Sequence, residues 1–230
     1  MKEILCNSAY FGVTVSLIGY GVGIMLKKKF KYAFLNPLLI SIIFVIGVVM
    51  LCGVDYESYE NSAQYLSYLL TPATVCLAVP LYQQMTLLKK NLAAVACGIL
   101  AGVLASLGSV LLLAFLFGLE HDVYVTLLPK SITTAIGMGV SEELNGIVTI
   151  TVAVIIITGV VGNVLADFVY KLFHVTHPVA KGVGLGTSAH AIGTAKALEM
   201  GEIEGAMGGL SIAVAGILTV IVAPIFSHII

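Results

Sequence analysis

Charge is what this sequence has least of. Only 10% of its 230 residues are Asp, Glu, Lys or Arg, against 59% hydrophobic ones, and the mean hydropathy is +1.08. Soluble domains carry about a quarter charged residues and under half apolar ones. A water-soluble domain is thereby excluded, and a polytopic membrane protein is implied. The net charge of −1 says little about partners, because in membranes the placement of charge matters more than its sum. The only basic run is "KKKFK" at Lys27–Lys31, whose simplest home is a loop beside a span, so nucleic acid is not an expected partner. The four cysteines (Cys6, Cys52, Cys76, Cys97) show no metal-ligand spacing and read as small apolar residues. With no His/Cys/carboxylate cluster in their place, no metal or other cofactor is assigned. Neither a Ser/His/Asp arrangement nor a nucleophile elbow occurs, so an enzyme, a membrane hydrolase included, is not expected. A cleavable signal is also lacking: the first apolar run is long enough to span and ends, rather than begins, in lysines.

What is present is a series of apolar runs separated by polar punctuation. Five of them, roughly Tyr10–Leu26, Phe34–Cys52, Leu92–Phe117, Gly146–Phe168 and Ala206–Phe226, approach or exceed the ~20 residues that a 30 Å hydrocarbon core demands. Three further segments, Gln64–Gln84, Leu127–Val140 and Val183–Met200, are apolar but interrupted by Gly or Pro and by hydroxyls. The expected fold is an all-α polytopic membrane protein in the lipid bilayer, with about five full transmembrane helices and three broken or re-entrant segments. It reads as one integral membrane domain, 1–230, with repeat halves 1–118 and 119–230.

Lysines in short loops set the expected orientation. "KKKFK" and Lys89–Lys90 are basic and belong in the cytoplasm; "DYESYE" (Asp55–Glu60) and "LEHD" (Leu119–Asp122) have no Lys or Arg and belong outside. The N-terminus is then external. Lys171, His174, His177 and Lys181 form the next basic loop. It is cytoplasmic only if Leu127–Val140 enters and leaves on the outer side as a hairpin; if that segment spans fully, the loop lies outside and breaks the charge rule. Both readings stand on the sequence, and the charge rule favours the hairpin.

The segments "TTAIGMGVSEELNG" (Thr133–Gly146) and "SAHAIGTAKALEMG" (Ser188–Gly201) share "AIG" at an offset of 56 residues, and each precedes a long apolar helix. "TPATVCLAVP" (Thr71–Pro80) is a third unit of the same kind. Corresponding Gly/Pro-interrupted segments point to an inverted repeat with its site near the midplane, as in secondary transporters. Non-helical backbone cannot face lipid, so such segments must be buried in protein or line an aqueous cavity. Their polar side chains are the candidate site: Thr71 and Thr74 around Pro72; Lys130, Ser131, Thr133 and Thr134; and Ser188, His190, Thr194 and Lys196. A lysine at mid-membrane marks a pathway or an ion pair unless it snorkels to an interface. A histidine there either completes an interhelical hydrogen bond or relays protons. Hydroxyls either back-bond to helix carbonyls or read a solute. Cations and hydroxyls together suit an anion.

The stretches "NPLL" (Asn36–Leu39), "LLTPATVCLAVPLY" (Leu69–Tyr82), "LPKSITTAIGMGVSEELNG" (Leu128–Gly146) and "GLGTSAHAIGTAKALEMG" (Gly184–Gly201) closely resemble the LrgB/CidB family of bacterial membrane proteins. The resemblance implies a multi-pass protein of the bacterial inner (cytoplasmic) membrane. It also implies one half of a two-component assembly with a smaller LrgA/CidA-like membrane protein, and it leaves room for a homo-oligomer. Two functions come with it. One is holin-like or antiholin-like modulation of murein hydrolase activity and cell lysis; the other is transport of small monocarboxylates such as pyruvate, glycolate and glycerate. Repeated broken segments favour transport, since a simple oligomeric pore needs amphipathic spans instead.

Overall fold

The computed structural model describes residues 8–30, 35, 37–69, 72, 75–76 and 78–230, and these form helices, turns and no strand. Among the described residues, four helices are long and apolar enough to cross a membrane, and a fifth apolar helix is shorter. The protein is a multi-pass membrane protein. The chain divides into two compact units, Met1–Cys76 and Leu77–Ile230.

In the first unit, α1 (Phe11–Phe30) and α2 (Pro37–Cys52) pack antiparallel. Small residues make the seam: Gly19 faces Ser41 and Gly23 faces the backbone of Pro37, while the Ser41 hydroxyl donates to the Ser16 carbonyl at 3.3 Å. The stretch read as an acidic outer loop, Asp55–Glu60, instead caps and begins a helix, α3 (Tyr56–Tyr68). The physical reason is local. Asp55 accepts from the Ser58 N–H at 2.9 Å, a side-chain N-cap. The helix then turns Ser62 and Tyr59 onto α1, where Gly12 N–H donates to Ser62 Oγ and Ser16 meets the Tyr59 hydroxyl, both at 2.9 Å. Polarity there belongs to an amphipathic helix rather than to a loop. Thr71 and Thr74 lie outside the described residues, as does Cys6; Cys52, Cys76 and Cys97 are free thiols.

The second unit begins with two short helices, α4 (Ala78–Gln83) and α5 (Met85–Lys90), followed by the span α6 (Leu92–Phe117). The span ends on Gly118, whose φ of 60° makes a left-handed cap bonded back to Ala114. Next come α7 (His121–Leu127) and α8 (Thr134–Glu143), then the span α9 (Val148–Leu172). The broken helix α10 (Pro178–Met200) and the span α11 (Glu202–Ser227) complete the unit.

Both interrupted segments here are re-entrant hairpins. In α10 the backbone leaves helical geometry at Ala189 and His190, and Gly193 comes back against the carbonyl of Leu185. Positions 182 and 186 meet 204–207 and 208–211 of α11 in ascending order, whereas 194, 197 and 198 meet 208 and 205 in descending order. The two arms therefore run antiparallel to each other. An arm of 11 residues is about 16 Å long at 1.5 Å per residue, half of a 30 Å core. The α7–α8 pair does the same: Gly137 returns to Pro129, and Thr126 sits beside Gly146 at the mouth. Gly137 and Gly193 are themselves 56 positions apart, as are Pro129 and Leu185.

The two hairpins enter from opposite faces. At one face Tyr124 donates to the Phe226 carbonyl at 2.8 Å and His121 lies 2.7 Å from the Ile230 carbonyl, so the first hairpin opens beside the end of α11. At the other, Gly182 packs on Glu204 and the Tyr170 hydroxyl donates to the Lys181 carbonyl at 2.6 Å, so the second opens beside the start of α11 and the end of α9. Residues 121–172 and 178–227 thus form an inverted pair, each a hairpin followed by a span. The hairpin reading of Leu127–Val140, rather than the full span, is the one the contacts select.

Candidate functional site

The tips of the two hairpins reach the middles of α6 and α9. At the first tip Ser131 Oγ lies 2.8 Å from Ser106 Oγ of α6, and the Lys130 ammonium donates to both hydroxyls at 3.3 Å. At the second tip Ala189 sits on Gly162 and His190 on Gly159. His190 Nε2 is 2.9 Å from the Ile155 carbonyl. Since a carbonyl only accepts, that nitrogen carries the proton. Asn163 Nδ2 donates to the Ile192 carbonyl at 2.9 Å, satisfying backbone next to the break.

Between the tips lies a cavity of about 580 Å³. Lys130 and Ser131 enter it from one hairpin, Thr187 and Ser188 from the other, and Ser106 and Thr158 stand on the flanking spans. Ser131 and Thr187 are equivalent positions in the repeat, 56 apart, and approach the same space from opposite sides.

Electrostatics single out Lys130. Each half-helix terminus contributes a partial charge of roughly half an elementary unit, positive where an arm starts and negative where one ends. Both kinds meet at each tip, because one arm ends where the next begins, so they largely oppose each other. The full charge of Lys130 remains. Its partners among the described residues are hydroxyls rather than carboxylates. An ammonium near mid-membrane costs about 2.5–3.5 kcal/mol on insertion scales, which an incoming anion offsets.

Other expected residues are placed differently. Lys196 pairs with Asp167 of α9 at 2.7 Å, its side chain 16% exposed, and does not line the cavity. His190 is buried and turned onto α9. Thr194 is buried under Gly208, with a hydroxyl that has no hydrogen-bond partner among the described residues. Thr133 caps α8 without a side-chain bond, and Thr134 begins that helix; both are half-buried. Ser106, Ser109 and Thr158, absent from the residues expected at the site, also face the cavity from the apolar spans. Their signal was legible: Ser106 and Ser109 are three apart, on one face of a helix with few other polar residues.

Comparison with known proteins shows the family. The LrgB-like family matches residues 16–229. Proteins named "Antiholin-like protein LrgB" from Bacillus mycoides (strain KBAB4), Bacillus cereus (strain B4264) and Bacillus anthracis (strain CDC 684 / NRRL 3495) are each 39% identical over 218 residues, covering 94% of this chain and 95% of the relative. The chain belongs to the LrgB family. No solved structure matches it. In this LrgB-family chain, the two stretches most typical of the resemblance, Leu128–Gly146 and Gly184–Gly201, are the two hairpin tips with their returning arms.

Proposed function

We propose that the chain is a secondary carrier for small monocarboxylates of the pyruvate or glycolate kind, working as the larger component beside an LrgA/CidA-like membrane protein. The observation that carries this reading is the cavity where two inverted hairpin tips meet with one ammonium inside. Lys130 pairs with the carboxylate, and the Ser106–Ser131 pair, whose mutual bond uses one hydroxyl proton, supplies the other as a further donor. Ser188, whose proton is committed to the Gly184 carbonyl at 2.7 Å, leaves its oxygen to accept from a solute hydroxyl. The cavity is much larger than a two- or three-carbon acid, so the solute enters with water. Movement of one hairpin-and-span unit against the other alternates access. The face carrying Lys89, Lys90, Lys171 and Lys181 is assigned to the cytoplasm by the charge rule.

A second reading, a holin-like or antiholin-like role in murein hydrolase activity and lysis, is favoured by the name the relatives carry. The discriminating experiment is uptake of labelled pyruvate and glycolate into proteoliposomes holding a trapped dye, with this chain alone and with its small partner. Saturable uptake without dye leakage, reduced about 10- to 150-fold at low solute by Lys130→Ala, supports the carrier, the factor being that of one charged hydrogen bond of 1.5–3 kcal/mol. Dye leakage without saturation supports the pore. Absence of both, with the partner present, overturns the carrier reading.

A further inference from the structure

A second cavity, of about 550 Å³, lies between the first half of α6 and the incoming arm of α10. Asn91 and His177 stand at its outer end, where both helices begin; Gly98 and Val183 lie further in. Its innermost residues are Gly102 and Thr187, and both also line the central cavity. The two spaces share this one pair as their wall.

That wall is narrow and stiff. A methyl group built on Gly102 would lie 2.8 Å from Thr187 Oγ1 and 2.9 Å from Thr187 Cβ. The Thr187 side chain cannot easily swing aside, because its hydroxyl bonds to the Val183 carbonyl at 2.8 Å and to the Gly184 carbonyl at 3.2 Å on its own arm. Glycine at 102 and a pinned threonine at 187 thus make the close contact that separates the cavity on the His177 face from the one that holds Lys130. We infer that Gly102 and Thr187 form the constriction that sets the size of solute reaching the central cavity from that face. This rests on the carrier reading above and adds to it the residues that select by bulk.

Two measurements test the inference, and they separate its failure from that of the carrier reading. The first is solute size selectivity in proteoliposomes. Thr187→Ala removes both γ atoms, so uptake of a branched five-carbon monocarboxylate should rise relative to glycolate, while Gly102→Ala should lower that ratio. Unchanged ratios, with total uptake shifted equally for all solutes, overturn the constriction and leave the carrier intact. The second needs no transport. In a background with the four cysteines replaced by serine, Ser188→Cys places a thiol in the central cavity. A membrane-impermeant thiol reagent added from the His177 face should label it, and Gly102→Val should slow labelling by about tenfold or more, the scale of an overpacked contact opposing passage. Equal labelling rates in a variant that elutes as a folded monodisperse species overturn the inference.

Discussion

Replacing Gly193 by alanine should destabilise the second hairpin far more than the equivalent change at Gly137 does the first. A methyl on Gly193 would sit 2.5 Å from the Leu185 carbonyl oxygen and 2.7 Å from Ala189 Cβ. Carbon–oxygen contacts settle near about 3.3 Å, so the returning arm must part from the incoming one by most of an ångström. The obstacle is backbone, so no rotamer change relieves it. Parting the arms also pulls the tip from α9, where His190 and Asn163 each hold a carbonyl at 2.9 Å. Overpacking of this kind costs about 1–3 kcal/mol, and one lost hydrogen bond adds about 0.5–1.5 kcal/mol. Replacing a helical glycine by alanine returns only about 0.5–1 kcal/mol. The net expectation is a loss of about 0.5–4 kcal/mol. At Gly137 the first obstacle is the Cδ1 end of Ile155, which can rotate, and the Pro129 carbonyl lies at a comfortable 3.5 Å; Gly137→Ala should fall within about 1 kcal/mol of wild type. Thermal unfolding of both variants in the same detergent reads the difference, and hydrogen exchange of amides 186–194 localises it. A Gly193→Ala protein as stable as Gly137→Ala, with unchanged exchange at the tip, would refute the sharp return of the chain at His190.

Thr151→Val should cost about 1–3 kcal/mol. It deletes a hydroxyl that donates to the Thr126 carbonyl at 2.9 Å and lies 2.7 Å from Ser141 Oγ, in a fully buried cluster fastening the mouth of the first hairpin to α9; denaturant unfolding in detergent measures it. Lys196→Ala should change stability by no more than about 1 kcal/mol, because Asp167 is 60% exposed and its pairing is screened. In the uptake assay the same change should weaken solute affinity much less than Lys130→Ala does, and an equal loss would mean that the paired lysine, rather than the one in the cavity, meets the carboxylate.

The spans were legible because twenty apolar residues have no alternative home. The hairpins were half-legible. Glycines, hydroxyls and isolated charges announce backbone that cannot face lipid, but composition does not reveal that Gly193 doubles back onto Leu185 rather than continuing across. That reversal depends on α9 presenting Gly159 and Gly162 to receive His190 and Ala189, a tertiary circumstance that no local pattern records. The two candidate lysines part for a related reason. Lys196 stands beside Lys130 as a candidate in the sequence, yet Asp167, twenty-nine positions earlier, comes within 2.7 Å of it once α9 lies along the returning arm. Asp55–Glu60 read as loop because charge at a span end usually is, whereas one cap bond and a tyrosine–serine face make it helical.

The repeat also explains why the site is lopsided. Equivalent residues Ser131 and Thr187 face one cavity from opposite sides, so a perfectly symmetric pair of hairpins would offer a bound anion two equal orientations. The symmetry breaks one position earlier in each unit. Lys130 has Gly186 as its counterpart, and Gly186 is pressed against the backbone of Gly208 and Cβ of Ser211, where no side chain fits. The second hairpin surrenders its own cation position to close packing on α11, while the first keeps a lysine among hydroxyls. On the proposed function, a monocarboxylate therefore binds with its charge toward the first hairpin and its remainder toward Ser188. On the same reading the second hairpin, whose incoming arm carries Thr187 of the Gly102–Thr187 wall, brings no charged side chain to the cavity.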